Sequence, residues 1–382
     1  KLKNGGSLLY SFRIGLGSDF VSLFAYYLAS PFNWLIVCIP KGYVIEFMTV
    51  LILIKTGLCG LTFMIYQKKH YGLVSYAGVI FAGFYALSGY MAAYYWNIMW
   101  LDCLVLAPLV VAGLECLVKK KDASLYGISL AISILSNFYI SIMLCIFLVL
   151  YAMILLAEET ENIRQKVQVF FRFALYSLLA GGMGAVLIFP EIAILSYSGS
   201  SGVSFPDTVE WDFDLISMLA RHCNNVTVYT GQEHWPNLYC GAAVFLCLVL
   251  YLCNRKISWK KKLHRVLLIV FFWLSFSNNM LDFIWHGMHF PDSLPGREVY
   301  LYVFLLVTMA YEVYVLKEGN TRFHIVLGVI VTAAFLGVSA YVVDTGQVAV
   351  KSMLLTGVFT VFYGIFMIVQ KSSDQERKLF AS

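Results

Sequence analysis

The chain has 382 residues, of which 60% are hydrophobic and 13% charged, and its formal net charge is +5. A soluble domain carries roughly 25% charged residues, and a mean hydropathy of +0.77 leaves too few polar groups to cover a water-facing surface. An ordinary soluble enzyme is excluded and the small charge excess gives no footprint for nucleic acid; an all-α, polytopic transmembrane helix bundle fits.

Lys1 opens the chain without a Met or an apolar leader, so the chain is expected to be a fragment that begins inside a loop. Residues 1–43 start with Gly-rich turns. They continue as a Phe/Tyr/Trp stretch broken by Pro31 and Pro40, the pattern of short helices lying in the membrane interface. Eleven apolar runs follow, at 44–66, 73–90, 99–118, 123–136, 138–157, 169–190, 238–253, 264–281, 299–316, 323–343 and 350–370. Each is expected to span the membrane. The division at Ser136-Asn137 requires one long apolar run to fold into two short helices. Residues 44–370 form the bundle, including the connecting segments 196–237 and 282–298, and 371–382 form a cytoplasmic tail.

Basic loops orient the spans. Lys68-Lys69, Lys119 to Lys121, Arg164 with Lys166, the Arg255 to Arg265 cluster, Lys317 with Arg322, and Lys371 with Arg377-Lys378 all fall on one side under this count. Lys/Arg loops stay cytoplasmic, which places residues 1–43 outside and the C-terminus inside a multi-pass plasma-membrane protein. Nine cysteines, mostly inside apolar runs and without CxxC spacing, read as small buried hydrophobes, with Cys223 and Cys240 as free thiols.

The outer segments carry the chemistry. Tyr90-Met-Ala-Ala-Tyr-Tyr-Trp-Asn-Ile-Met-Trp-Leu-Asp102 packs rings around one amide and one carboxylate. Tyr and Trp settle at the headgroup level, and an acid entering the membrane beside them is costly enough to mark function. The alternative for Asp102 is to organise the loop by accepting hydrogen bonds from Trp96, Trp100 or a backbone amide. Segment 196–237 opens with a turn-rich run, Ser196 to Gly202. Trp211, Leu215, Met218 and Leu219 then fall at helical spacing, so a short amphipathic helix is expected, with Asp207, Glu210, Asp212 and Asp214 on its wet side.

In 282–298, Asp282, His286 and His289 stand four and then three residues apart and would share a helix face as metal ligands do; interface histidines are the alternative. Arg297 precedes the run from Val299, a position suited to a bidentate grip on phosphate or carboxylate, with a Glu298 pair as the alternative. Charges within the runs are few: Glu46, Lys55, Glu115 and Glu191. Lys55 lies about 13 Å along a helix from Glu46, too far to pair with it, so each is expected to face protein or a water-filled cavity.

Ser11-Phe-Arg-Ile-Gly-Leu-Gly-Ser-Asp-Phe20, Ala25-Tyr-Tyr-Leu-Ala-Ser-Pro-Phe-Asn33 and Tyr95-Trp-Asn-Ile-Met-Trp-Leu-Asp102 resemble segments of the bacterial YfhO-type membrane proteins. So do Trp235-Pro-Asn-Leu-Tyr239, Ile284-Trp-His-Gly287 and Pro295-Gly-Arg297, in matching order up to about Ala310. The resemblance implies a glycosyltransferase of the GT-C class, working in the cell envelope from the bacterial plasma membrane. Such an enzyme takes a sugar from a polyprenyl-phosphate carrier and transfers it outside to a surface polymer such as lipoteichoic acid.

It also implies a catalytic Asp in the first outer loop, and that segment would precede Lys1. Asp19 stands where similar sequences often carry Asn and is not taken as this base. Asp102 is then a supporting acid, Arg297 and His286 would meet the donor phosphate, and Tyr26, Tyr27, Tyr95, Trp96, Asn97 and Trp100 would form the sugar and lipid rim. A cofactor is left open, with Asp282, His286 and His289 as candidates for a divalent cation. A transporter or lipid flippase of envelope precursors, and a non-catalytic assembly scaffold, are the competing readings.

Overall fold

The computed structural model describes residues 6–7, 9–13, 17–72, 75–160, 162–195, 204–291 and 293–381; the turn-rich run Ser196 to Gly202 lies outside them. The described chain begins with a small antiparallel hairpin, β1 (Tyr10–Ser11) and β2 (Ser18–Asp19), in which Tyr10 pairs with Asp19. Asp19 caps α1 (Phe20–Leu23) by accepting from the Ser22 amide at 2.7 Å, as a first helical turn with unmet N–H groups requires. Pro31 takes the first position of α2 (Pro31–Trp34), where a missing N–H costs nothing. The segments Phe20–Leu28 and Pro31–Cys38 meet at a bend of 107°.

The helices α3 (Val44–Tyr71), α4 (Tyr76–Ala86), α5 (Gly89–Tyr94), α6 (Leu101–Lys120), α7 (Ser124–Ser136), α8 (Phe138–Glu159) and α9 (Ile163–Leu195) follow. Beyond residue 204 come α10 (Leu215–Ala220), α11 (Ala243–Cys253), α12 (Trp259–Ser277), α13 (Asn279–Trp285), α14 (Val299–Val315), α15 (Arg322–Val342) and α16 (Val350–Ala381). Each of the eleven apolar runs contains helix among the described residues, so the all-α polytopic architecture is the observed one.

The span count is corrected downward. Seven helices among the described residues are long and apolar enough to cross a membrane, or eight if the bent pair Phe20–Leu28 and Pro31–Cys38 is one span. The reason is length: α7, with 13 residues, is about 20 Å long against a hydrocarbon core of about 30 Å. The 11 residues of α11 and the 17 of α14 are also short, and α12 carries Lys260, Lys261 and Lys262 in its first turn. Asn137 makes the break between α7 and α8: its backbone is extended, and its side chain caps α8 by accepting from the Ile140 amide at 2.9 Å.

The chain divides into two compact units, one of Lys1–Ala82, Tyr94–Thr208 and Met280–Pro291, the other of Gly83–Ala93, Val209–Asn279 and Asp292–Ser382. In the first, α6 packs on α3 and α7, and α7 on α9. Gly113 sets the closeness of α6 to α7, because a Cβ there would lie 2.4 Å from the Tyr126 amide nitrogen. In the second, α11 packs on α14, α15 and α16, and α10 rests on α15. The amphipathic helix expected from Trp211 starts only at Leu215, where Asp214 caps it through the Ser217 amide at 2.9 Å. Trp211 stays outside the helix, bridged to Asn278 as isolated β structure.

Candidate functional site

The first unit assembles most of the residues singled out in the sequence. Between α5 and α6 the chain turns tightly: the Asn97 amide donates to the Tyr94 carbonyl at 2.9 Å and the Trp100 amide to the Asn97 carbonyl at 2.8 Å. This turn buries Asn97, Ile98 and Trp100 while Tyr95 and Trp96 stay 49% and 50% exposed. Trp100 packs edge-on to Tyr94 at 5.4 Å, and its indole N–H donates to the Tyr26 hydroxyl at 3.3 Å.

Asp102, one turn on, does not organise the loop by accepting from Trp96 or Trp100. Its Oδ2 accepts from the Lys55 ammonium at 2.6 Å, with both side chains nearly inaccessible, at 0% and 2% exposure for Lys55 and Asp102. Lys55 also donates to the Ile98 carbonyl at 3.0 Å, to Asn33 Oδ1 at 3.1 Å and to Ser30 Oγ at 3.4 Å. One buried ammonium therefore holds the 107° bend, the aromatic turn and the head of α6 together. Burying either charge alone is prohibitive; the pair, with its remaining valences met by neutral acceptors, is tolerable. Lys55 thus faces protein, as expected, but its partner is 47 residues away.

Rings extend the assembly. Tyr26 lies 4.7 Å from Tyr27 and 6.1 Å from Tyr139, and Tyr139 lies 6.4 Å from the His286 imidazole, centroid to centroid. Asn137 Nδ2 donates to the Tyr26 carbonyl at 3.0 Å, so the residue that separates α7 from α8 also positions the rim. Tyr27 is exposed; His286 is buried, its Nδ1 facing the Asp282 carbonyl at 2.8 Å and Asp282 Oδ1 at 3.1 Å.

The proposed metal face is not formed. The helical-face reading needs the helix to continue to His289, but α13 ends at Trp285, and Gly287 and Met288 take φ of 71° and 65°. This left-handed step, natural for glycine and strained for methionine, turns His289 off the face that carries Asp282 and His286. Among the described residues no three His, Cys, Asp or Glu side chains converge on a metal position.

Thirteen residues along α6 from Asp102 to Glu115, about 20 Å at the helical rise, a second polar cluster ties α6 to its neighbours. Glu115 accepts from the Tyr151 hydroxyl at 2.7 Å and the Tyr66 hydroxyl at 3.3 Å, and meets His70 Nδ1 at 2.6 Å.

The second unit holds Arg297 and two clusters that sequence inspection did not anticipate. Arg297 donates from Nε to the Leu294 carbonyl and from Nη2 to the Ser293 carbonyl, both at 3.0 Å, so its guanidinium braces its own turn. Arg221 is buried over the Trp235 ring and donates to the carbonyls of Pro236 at 2.7 Å and Thr227 at 3.0 Å. His222 sits in a neutral chain: the Trp273 indole donates to the Tyr302 hydroxyl at 2.8 Å, the hydroxyl donates to His222 Nε2 at 3.0 Å, and Nδ1–H donates to the Leu219 carbonyl at 2.9 Å. Burial pushes the His222 imidazole down to about 4, which keeps it neutral.

Lys55 was visible in the sequence as an intramembrane charge and Asn137 as the break in a long apolar run, whereas Tyr139 carried no local signal and nothing local pointed to Ser30 or Asn33 as partners of Lys55. No curated protein and no solved structure matches the chain. The family model described as bacterial membrane protein YfhO matches residues 1–382, over the same helices and the same aromatic turn, and the chain belongs to that family of membrane proteins.

Proposed function

We propose that the chain serves glycosyl transfer at the membrane surface, with a polyprenyl-phosphate-linked sugar as donor and a cell-surface polymer such as lipoteichoic acid as acceptor. One observation carries this reading: the half-exposed Tyr95 and Trp96 immediately precede Asn97, whose buried Nδ2 has no hydrogen-bond partner among the described residues. Sugars present apolar faces to aromatic rings and hydroxyls to amide donors, and a buried donor without a partner asks for an acceptor. In the reaction the acceptor hydroxyl oxygen bonds to the anomeric carbon as the bond to the carrier phosphate breaks. Its proton passes to a carboxylate, and the phosphate departs with the electron pair. Asp102, bound to Lys55 through Oδ2, supports this chemistry by holding the aromatic turn in place.

Full-length protein in proteoliposomes, given polyprenyl-phosphate sugars and isolated surface polymer, should place sugar on the polymer. Movement of the lipid-linked sugar across the bilayer without transfer would support a transporter instead, and neither activity would support a scaffold. Arg297→Ala separately tests the arginine: lost transfer with normal membrane insertion supports a phosphate contact, and normal transfer removes it. The rim is proposed to face outward. A cysteine replacing Tyr95 should then react with an impermeant label on whole cells and one replacing Lys120, at the other end of α6, should not; labelling at Lys120 overturns the orientation.

A further inference from the structure

The connector between α14 and α15 in the second unit gathers positive charge that sugar transfer does not use. The Arg255 amide donates to the Gly319 carbonyl at 3.0 Å, and Asn254 Nδ2 donates to the Leu316 carbonyl at 3.0 Å. A Cβ on residue 319 would lie 2.0 Å from Asn254 Oδ1, so glycine lets the two turns close. From α16, Lys371 donates to the Asn320 carbonyl, and Arg322 donates to the Ser372 hydroxyl at 2.9 Å. Three parts of the chain meet here, and His324 lies within electrostatic reach of Arg255, Lys371 and Lys262. The nearby carboxylates are engaged by other lysines: Glu318 with Lys256 and Glu312 with Lys261, each at 2.6 Å.

One buried side chain at this junction is unanswered, and one lysine beside it is unneutralised. Asn320 is 3% exposed, and neither its Oδ1 nor its Nδ2 has a hydrogen-bond partner among the described residues. Lys262 is 8% exposed and has no carboxylate partner among them. A buried amide with both atoms idle is costly unless a ligand completes it, and the Lys262 ammonium is open to an anion. The ligand must supply anionic acceptor oxygens for Lys262, Arg255 and Asn320 Nδ2, and a hydroxyl donor for Asn320 Oδ1. Trp259 and Phe323, in the first turns of α12 and α15, are exposed. Exposed aromatic rings beside basic residues mark the headgroup level of a bilayer.

We propose that this junction binds the headgroup of an anionic, hydroxyl-bearing phospholipid, its phosphate held by Arg255, Lys262 and Asn320 Nδ2 and its hydroxyl by Asn320 Oδ1. The site is independent of whether the chain transfers sugar. Full-length protein is reconstituted in nanodiscs of equal phosphatidylglycerol and phosphatidylcholine, released, and its retained lipid counted by native mass spectrometry. Wild type should retain phosphatidylglycerol preferentially. Arg255→Gln with Lys262→Gln should weaken that retention about tenfold, the worth of a lost charge-assisted hydrogen bond.

Lys120→Gln with Lys121→Gln removes the same charge from the first unit and should leave retention unchanged. Asn320→Leu keeps the charge, removes the amide and should lower retention by itself; circular dichroism verifies that each variant is folded. Equal retention of the two lipids by wild type, unchanged retention in the Arg255/Lys262 variant, or equal loss in the Lys120/Lys121 control overturns the site. A shift in Tm with inorganic phosphate as large as that with phosphatidylglycerol would assign a soluble ion and overturn the lipid.

Discussion

The two units solve one problem in opposite ways. Both bury polar side chains among apolar helices. The first does it most extensively with opposite charges, Lys55 and Asp102; the second, besides its buried Arg221, does it with a neutral chain, Trp273, Tyr302 and His222. The charged solution reaches irregular backbone, since Lys55 also holds the Ile98 carbonyl and the bend at Ser30 and Asn33. The neutral one connects side chains and ends on the last turn of α10, at the Leu219 carbonyl. A charge reaches several partners at once and can hold a loop whose backbone has no regular pairing. A neutral chain closes only donor to acceptor, and it braces helices.

That contrast can be broken at its strongest point first. Asp102→Ala leaves the Lys55 ammonium buried without its counter-charge and should cost about 3–5 kcal/mol, measured by denaturant unfolding in mixed micelles. Replacing Lys55 and Asp102 together by Leu should recover most of it while transfer stays lost. If the single variant is as stable as wild type, the pair is not the hub described.

Protonation tests the neutral chain next. Burial lowers the His222 pKa from 6.5 to about 4, so between these values the unfolded chain binds more protons than the folded one. Stability from His222 is complete above pH 6.5 and lost as pH falls toward 4, by about 3 kcal/mol. His222→Gln should flatten that part of the pH profile, and an unchanged slope would count against the neutral chain.

Smaller still is Tyr302→Phe, which removes the acceptor for Trp273 and the donor for His222 and should cost about 1–3 kcal/mol. The smallest stability effect belongs to Trp96→Ala. At an exposed position it should change stability by less than about 0.5 kcal/mol and yet reduce sugar transfer, which separates the rim's surface from the hub beneath it.

The site was legible in proportion to how local its signals are. Tyr95, Trp96 and Asp102 stood out because rings and an acid at the edge of an apolar run are unusual within a short window. The expected metal face failed for a local reason as well: Gly287 sits inside the Asp282–His289 window, and its φ of 71° stops the helical periodicity that the spacing assumed. Arg297 stood out by its place before the run from Val299, but its donation to Ser293 and Leu294 depends on a turn whose shape composition does not reveal.

Composition and apolar periodicity by themselves determined the class of this protein, its eleven helical runs and the aromatic turn before Asp102, because a bilayer demands long runs whose backbone bonds are satisfied internally. Tertiary structure decided which of those runs are long enough to span, where the chain bends at Pro31, and which partner each buried charge takes. Lys55 meets Asp102 across 47 residues because α3 and α6 pack together, and no local pattern encodes a contact that exists only once two helices lie side by side.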